Sequence, residues 1–397
     1  MFPSQSSLAI RHRMKQDVEH RLLRLLFPLC TTAMPGKTIV PLFATLFGLL
    51  GANALLADTV AIAKPHVKTA FNDPAEAGID FAFQGEYGGF YGTWGYGPEV
   101  GLQVIARGEG QFDAVLYNGG LPGAAWDGEP PVELSGALEG ETLTLKGEQL
   151  QIVLTLGKGA IYNKAGRQIA RLVKLQRVSR TLGARPPYGA TVLFDGKNVN
   201  QFASGARMEN GLLTEGALTK EPVGDFYLHL EFRLPLMPYA RGQARANSGV
   251  YIQQRYEVQI LDSFGAVGKA DECGAIYRQT PPKVNMCLPP LTWQTYDIFF
   301  YAPRWNDQGE KIRNARITVL HNGVAVHKQH EIENKTGAGK PESPELLPIL
   351  LQNHGDPVRF RNIWMTAVAP DTPSPSPSNH RPVWYQPRPF PLSTWCR

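Results

Sequence analysis

Ala246 to Ser263, ANSGVYIQQRYEVQILDS, is the stretch on which the fold turns. In its first half Val250 and Ile252 alternate with Gly249, Tyr251 and Gln253. In its second half Val258 and Ile260 alternate with Glu257 and Gln259. Side chains of a strand alternate between two faces, so this pattern predicts two strands with one apolar face and one row of acid, amide and phenol groups. Pro348–Pro357 (PILLQNHGDP) repeats it: Ile349 and Leu351 point one way, and Leu350, Gln352 and His354 the other. Sheet segments with such a polar face suit the floor of a groove for a hydroxyl-rich ligand.

Around this stretch lies a chain of 397 residues, long enough for two or three domains. An apolar content of 43% supports real cores, and 19% charged residues argue against a disordered chain. The 40 glycines and 32 prolines suit many short strands joined by turns. Net charge is only +5, part of it in the N-terminal extension (Arg11, Arg13, Lys15, Arg21, Arg24, Lys37), and no basic stripe interleaved with aromatics marks a phosphate track. Nucleic acid is therefore not an expected partner. No Gly-rich phosphate loop, serine nucleophile elbow or dinucleotide fingerprint is visible, which disfavours the enzymes that need them.

Thr38–Ala57 (TIVPLFATLFGLLGANALLA) is apolar, follows Lys37 and ends in small residues. A membrane-anchoring helix is one reading. Pro41, the internal glycines and the Ala52-Asn53-Ala54 exit favour a cleaved signal peptide, with Leu55-Leu56-Ala57 as a second cleavage choice. Met34 then reads as the true start. The expected mature protein is exported, periplasmic or extracellular, with no stable membrane insertion. Of four cysteines Cys30 falls in the removed part. Cys273 and Cys287 either bridge, as an oxidising compartment allows, or remain two buried thiols.

After residues 1–57, residues 58–178 are expected to form a small antiparallel β domain, with strands in FAFQGEY, EVGLQVIARG, FDAVLYNGG, TLTLKG, LQIVLTLG and IARLVKLQRV. Its aromatic, glycine-rich run Phe90–Gly97 reads as packed rings or as a sugar-stacking platform. A linker, 179–188, stiffened by Pro186-Pro187, leads to a β-sandwich over 189–369. There His321-Asn322-Gly323 predicts a hairpin turn. Residues 370–397 are a proline-rich tail without periodicity, which Trp384, Tyr385, Phe390 and Trp395 could dock. The fold class is thus all-β.

Seven segments in order resemble the 3-keto-disaccharide hydrolase domain family: VLFDGKNVNQF (Val192–Phe202), ANSGVYIQ (Ala246–Gln253), YEVQILDS (Tyr256–Ser263), CGAIY (Cys273–Tyr277), WQTYDI (Trp293–Ile298), HNGV (His321–Val324) and LQNHGDPVRFRNIW (Leu351–Trp364). The resemblance covers under half the chain. It implies a concanavalin-like jelly-roll sandwich, a sugar ligand and hydrolysis of 3-keto-glycosides. Such hydrolysis needs a base for the acidified C2 proton, an acid for the departing aglycone and a stabiliser for the enediolate, rather than two carboxylates astride an oxocarbenium ion.

Within that expectation Glu257, a carboxylate on the polar strand face, and His354, an imidazole that can titrate near neutrality, are the catalytic candidates. The bland readings are a solvent-side carboxylate and a loop hydrogen-bonder. Asn247, Tyr251, Gln253, Gln259 and Gln352 are the neutral substrate-binding candidates, and Arg361 is the charged one. Arg359 and Arg361 leave the same strand face, where they could alternatively bridge to surface carboxylates. Tyr277 and Trp293 read as core or as stacking rings. Glu257, His354 and Asp262 together could hold a divalent metal, although their spacing does not demand one and Asp262 fits a turn better. A lectin-like carbohydrate-binding module without catalysis is the rival reading, because one sandwich fold serves both roles. A cell-surface interaction domain contacting its partner through the tail is a further one.

Overall fold

The computed structural model describes residues 67–92 and 97–369. The expected signal peptide, Cys30, residues Thr93–Tyr96 of the aromatic run, the proline-rich tail and Cys396 lie outside the described residues.

A short helix α1 (Gly78–Phe83) precedes eight strands, β1 (Gly85–Tyr91), β2 (Glu99–Gly108), β3 (Gln111–Asn118), β4 (Val132–Glu139), β5 (Thr142–Lys146), β6 (Leu150–Thr155), β7 (Lys158–Asn163) and β8 (Gln168–Leu175). Each pairs antiparallel with the next. β8 returns to β1 in the register Glu86↔Leu175 through Tyr91↔Ala170, closing a barrel. Closure leaves no unpaired edge. Inward residues such as Tyr87, Leu102, Val104, Phe112, Leu143, Leu145, Ile152 and Leu172 fill the interior, as expected of an eight-stranded barrel.

The expected strand FAFQGEY is corrected at its start, because Phe81–Phe83 end α1 instead. Phe83 is buried against Phe112, and its carbonyl accepts the Tyr87 hydroxyl at 2.7 Å. Of the three only Phe83 enters the barrel's interior cluster, from the end of the helix. β4 and β7 were absent from the expected set. In β4 only Leu134 is buried, so period-two alternation is faint.

The remaining strands are β9 (Thr191–Phe194), β10 (Met208–Glu209), β11 (Leu212–Thr214), β12 (Ala217–Leu218), β13 (Phe226–Arg233), β14 (Ser248–Ile252), β15 (Tyr256–Ile260), β16 (Trp293–Tyr301), β17 (Arg304–Trp305), β18 (Lys311–Arg313), β19 (Ala315–His321), β20 (Val324–Ile332), β21 (Leu350–Leu351) and β22 (Arg359–Ala367). They build two main layers. The larger runs β10-β11-β22-β13-β16-β19-β20, with β9 also on β22; the smaller runs β12-β21-β14-β15. Leu228, Leu230, Phe232, Tyr296, Ile298, Phe300 and Phe360 of the large sheet pack against Val250, Ile252, Tyr256, Val258, Ile260 and Leu351 of the small one. This is the face-to-face sandwich that the alternation implies. Asn322 and Gly323 both take positive φ (52° and 77°) and turn β19 into β20, the hairpin read from Asn-Gly.

Ile105, Val115, Tyr117 and Leu121 on the outside of the barrel belong to the same apolar cluster as the sandwich core. The segment between barrel and sandwich lies on the outer face of the large sheet: Ser179 Oγ is 2.6 Å from Thr295 Oγ1, Thr181 Oγ1 donates to Asp297 at 2.6 Å, and Gly183 N–H donates to Glu231 at 2.5 Å. Cys273 and Cys287 are buried free thiols, so of the two readings the unbridged one holds.

Candidate active site

The registers of the small sheet place side chains without ambiguity. Tyr251 pairs with Glu257 on one side and Leu350 on the other. Gly249 pairs with Gln259 and accepts the Gln352 N–H at 2.8 Å. Residues directly opposite in an antiparallel pair share a face. Leu350, Tyr251 and Glu257 therefore form one row, and Gln352, Gly249 and Gln259 the next, all on the face turned away from the core. Asn247, two residues before Gly249, extends it. Five of the sequence candidates are brought together: Asn247, Tyr251, Glu257, Gln259 and Gln352.

Glu257 is the unusual member. Its side chain is buried, and its Oε2 has no hydrogen-bond partner among the described residues. Burial pushes its carboxyl up to about 7, and a hydrogen bond from Tyr251 only partly offsets this. The Tyr251 phenol is raised as well, by burial and then by the neighbouring carboxylate. Gly249 makes room for the acid: a Cβ there would stand 2.4 Å from Glu257 Oε1. From the other side comes the 334–345 segment. Thr336 Oγ1 accepts the Glu257 N–H at 2.8 Å, and a Cβ on Gly337 would lie 2.9 Å from the Tyr277 ring and 3.9 Å from Glu257 Oε2. The result is a buried socket around one carboxyl oxygen, with a group that can take or give a proton near neutral pH.

The amides beside it form an ordered string. Gln259 Nε2 donates to Gln243 Oε1 at 3.1 Å, Asn247 Nδ2 donates to Gln243 O at 2.8 Å, and Gln243 Nε2 donates to the Asp271 carbonyl at 2.6 Å. Gln352 Oε1 is buried without a partner among the described residues. Asp356, fully buried, accepts the Asn247 N–H at 2.8 Å and the Lys68 ammonium at 2.5 Å, pinning the 352–358 loop to β14.

Gln253, Arg361 and His354 are not part of this row, and neither is Arg359. Gln253 lies in the hairpin turn, with φ of 51°; its Nε2 donates to Val223 O at 2.7 Å and its Oε1 accepts from Arg255 at 3.1 Å. Its amide is spent on the scaffold. Arg361 is on the outer face of the large sheet, across the core from Glu257, where it bonds Glu231 at 2.6 Å and stacks 4.0 Å from the Trp293 ring. Arg359 bridges to Glu209 and Glu215, the surface-pair reading given to it above. His354 is exposed on the loop that follows the short strand Leu350–Leu351, two residues beyond Gln352.

Glu231 belongs to a second polar network. Burial would raise it, yet hydrogen bonds from His229, Asn362, Gly183 N–H and Arg361 hold it down to about 2. Burial likewise opposes charge on His229, but its bonds to Asp297 (2.7 Å) and Glu231 lift it to about 9. This network lies under the linker and ties it to the sheet.

A divalent metal held by Glu257, His354 and Asp262 does not fit. Asp262 is paired with Arg245 at 2.6 Å and accepts Phe264 N–H at 3.2 Å in a turn, and among the described residues no three His, Cys, Asp or Glu side chains gather as a metal-ligand group. Sequence reasoning missed Gln243, Arg255, Thr336, Gly337 and the Lys68–Asp356 pair. Only the Gly-Ala-Gly at Gly337–Gly339 hinted at a close backbone approach.

A β-sandwich with a desolvated carboxylate and a row of amides on one sheet face is the type of site this chain presents. Residues 189–366 match the family model described as the 3-keto-alpha-glucoside-1,2-lyase-like domain, and the sandwich of this chain belongs to that family. Three crystal structures of candidate glycosyl hydrolases from Parabacteroides distasonis ATCC 8503 are similar to it. The first is 32% identical, covers 46% of this chain and 85% of its own, with a TM-score of 0.43. The second is 17% identical over 46% and 94% (TM-score 0.34), and the third 23% identical over 45% and 99% (TM-score 0.32). No curated protein matches the chain.

Proposed function

We propose that this protein cleaves 3-keto-glucosides by elimination across C1 and C2, followed by hydration, with Glu257 as the base. The observation that carries the proposal is the buried Glu257 carboxyl, raised to about 7 with one oxygen unpartnered. The family description supports the class of substrate and the elimination.

The chemistry follows from the ketone. A carbonyl at C3 acidifies the C2 hydrogen. Glu257 takes that proton, and the C–H electron pair moves into C2–C3 while the C3 oxygen becomes an enediolate oxygen. The pair then forms C1=C2 as the C1–O bond breaks and the aglycone oxygen leaves with its electrons. Protonation of that oxygen completes elimination. Addition of water at C1, with a proton returned to C2, gives the free 3-keto sugar. A base poised near 7 is ionised in a useful fraction at neutral pH and still basic enough for a carbon acid. The Tyr251 hydroxyl orients the carboxylate, while Gln259, Gln352 and Asn247 offer neutral donors and acceptors for sugar hydroxyls. In this reading the exposed His354 serves as the acid for the departing aglycone oxygen, a role tested by His354→Ala.

The test is release of aglycone from a 3-keto-disaccharide by the wild-type chain and by Glu257→Gln. Turnover by the former and at least a hundredfold loss in the latter, with binding retained in calorimetry, supports the reading. Binding by both without turnover makes the domain a lectin-like module.

A further inference from the structure

We infer that Arg255 is the positioning residue for Glu257: it clamps the 334–345 segment over the carboxyl and so keeps water away from it. This rests on the reading of Glu257 as the base, but its structural half stands independently of any substrate.

Arg255 sits in the β14–β15 turn, two residues before Glu257, and is among the largest fully buried side chains. An arginine is rarely buried unless its donors are satisfied. Here they are, and mostly by one segment. Nε donates to Pro341 O at 2.9 Å, Nη1 to Glu345 O at 2.8 Å and to Gln253 Oε1 at 3.1 Å, and Nη2 to Ser343 Oγ at 2.7 Å. Its backbone takes part as well. Arg255 O accepts Thr336 N–H at 2.9 Å and Thr336 Oγ1 at 3.1 Å, the same hydroxyl that receives Glu257 N–H. Gly339 packs so closely on Arg255 that a Cβ there would meet its carbonyl oxygen at 2.2 Å.

The clamped segment is irregular, without a ladder of its own, and it delivers Gly337 to the Glu257–Tyr277 gap. Lys340 N–H on Gln254 O at 2.8 Å and the Tyr256 and Lys311 side chains on the Glu342 carboxylate also tie the segment, and Arg255 adds three side-chain hydrogen bonds to it from a single buried residue. The planar five-donor fork suits this task, and a lysine with three donors from one point cannot reach the same acceptors. Arg255 does not act by direct charge on Glu257, whose rise is caused by burial and opposed by Tyr251. The groups facing Glu257 are Tyr251 from β14 and Tyr277 from the 273–280 loop, with Arg278 over the Tyr277 ring and Lys335 Nζ on the Gly337 carbonyl.

The experiment follows the Glu257 carboxyl by infrared titration without substrate, its band assigned by loss in Glu257→Gln. Arg255→Lys keeps the charge and removes the fork; Thr336→Val removes the second tether and serves if Arg255→Lys does not fold. Amide hydrogen exchange over 334–345 is read alongside. We expect the midpoint to fall by at least one pH unit from the wild-type value, exchange in the segment to quicken at least tenfold, and the acid limb of kcat/KM for the 3-keto-glucoside to shift by the same amount. An unmoved midpoint despite faster exchange, or neither change in a folded variant, overturns the inference. Absence of wild-type turnover would remove the proposed activity while the titration still decides the clamp.

Discussion

Glu257→Gln separates the electrostatics of the site from its chemistry, because the amide keeps the shape and removes the charge. In the wild type burial raises the carboxyl from its ordinary 4.5 to about 7. At about 1.4 kcal/mol per pH unit this is roughly 3 kcal/mol of folding free energy. The sign is set by proton counts. Between pH 4.5 and 7 the folded protein holds the proton that the unfolded chain releases, so wild-type stability falls with rising pH across that window. It is then lower by the full amount above pH 7, where a charge must stay in a buried socket. The glutamine variant has no such group. Chemical unfolding followed by tryptophan fluorescence at intervals from pH 4 to 9 gives the difference between the two proteins. Near pH 4 the difference is a baseline set by packing alone. By pH 8 the variant should have gained about 2–4 kcal/mol on the wild type relative to that baseline, most of it between pH 5 and 7. Parallel stability profiles would refute the claim that Glu257 is desolvated.

Other outcomes are equally specific. Gly249→Ala puts a Cβ 2.4 Å from Glu257 Oε1, so kcat/KM for a 3-keto-glucoside should fall at least about a hundredfold while circular dichroism is unchanged. Arg361→Ala leaves Glu231 buried with one bond fewer, and should cost roughly 1–3 kcal/mol in denaturant unfolding yet change turnover less than about threefold. Gln253→Ala should also act on stability, by about 1–2 kcal/mol, through the buried Val223 carbonyl and Arg255 that it leaves short of a partner. Cys273 and Cys287 should resist alkylation in the native protein and both react in denaturant without reductant; peptide mapping that finds them bridged would contradict this.

How far the sequence was legible depended on whether side-chain period two applied. It applied to Gly249, Tyr251, Glu257, Gln259 and Gln352, and the face they share emerged from residue order alone. The period failed at Gln253 because the chain turns there with two positive-φ glutamines, Gln253 and Gln254, where glycine or asparagine would ordinarily announce a turn. For Arg359 and Arg361 it gave the correct shared face but could not assign the strand to a sheet; sheet order is a long-range property, and β22 joined the large layer. The wall of the socket was hidden for a different reason. Residues 334–345 carry no periodicity, and only the folded hairpin brings Arg255 to their carbonyls. Burial of Glu257 was equally hidden, since a polar strand face by itself reads as solvent-facing.

Deuterium at C2 of a 3-keto-α-glucoside tests the central claim most directly, by following aglycone release and the fate of the label together. Abstraction at C2 expects a primary isotope effect on release and exchange of the label with solvent, both lost in Glu257→Gln. Release of the aglycone with deuterium fully retained at C2 would contradict it.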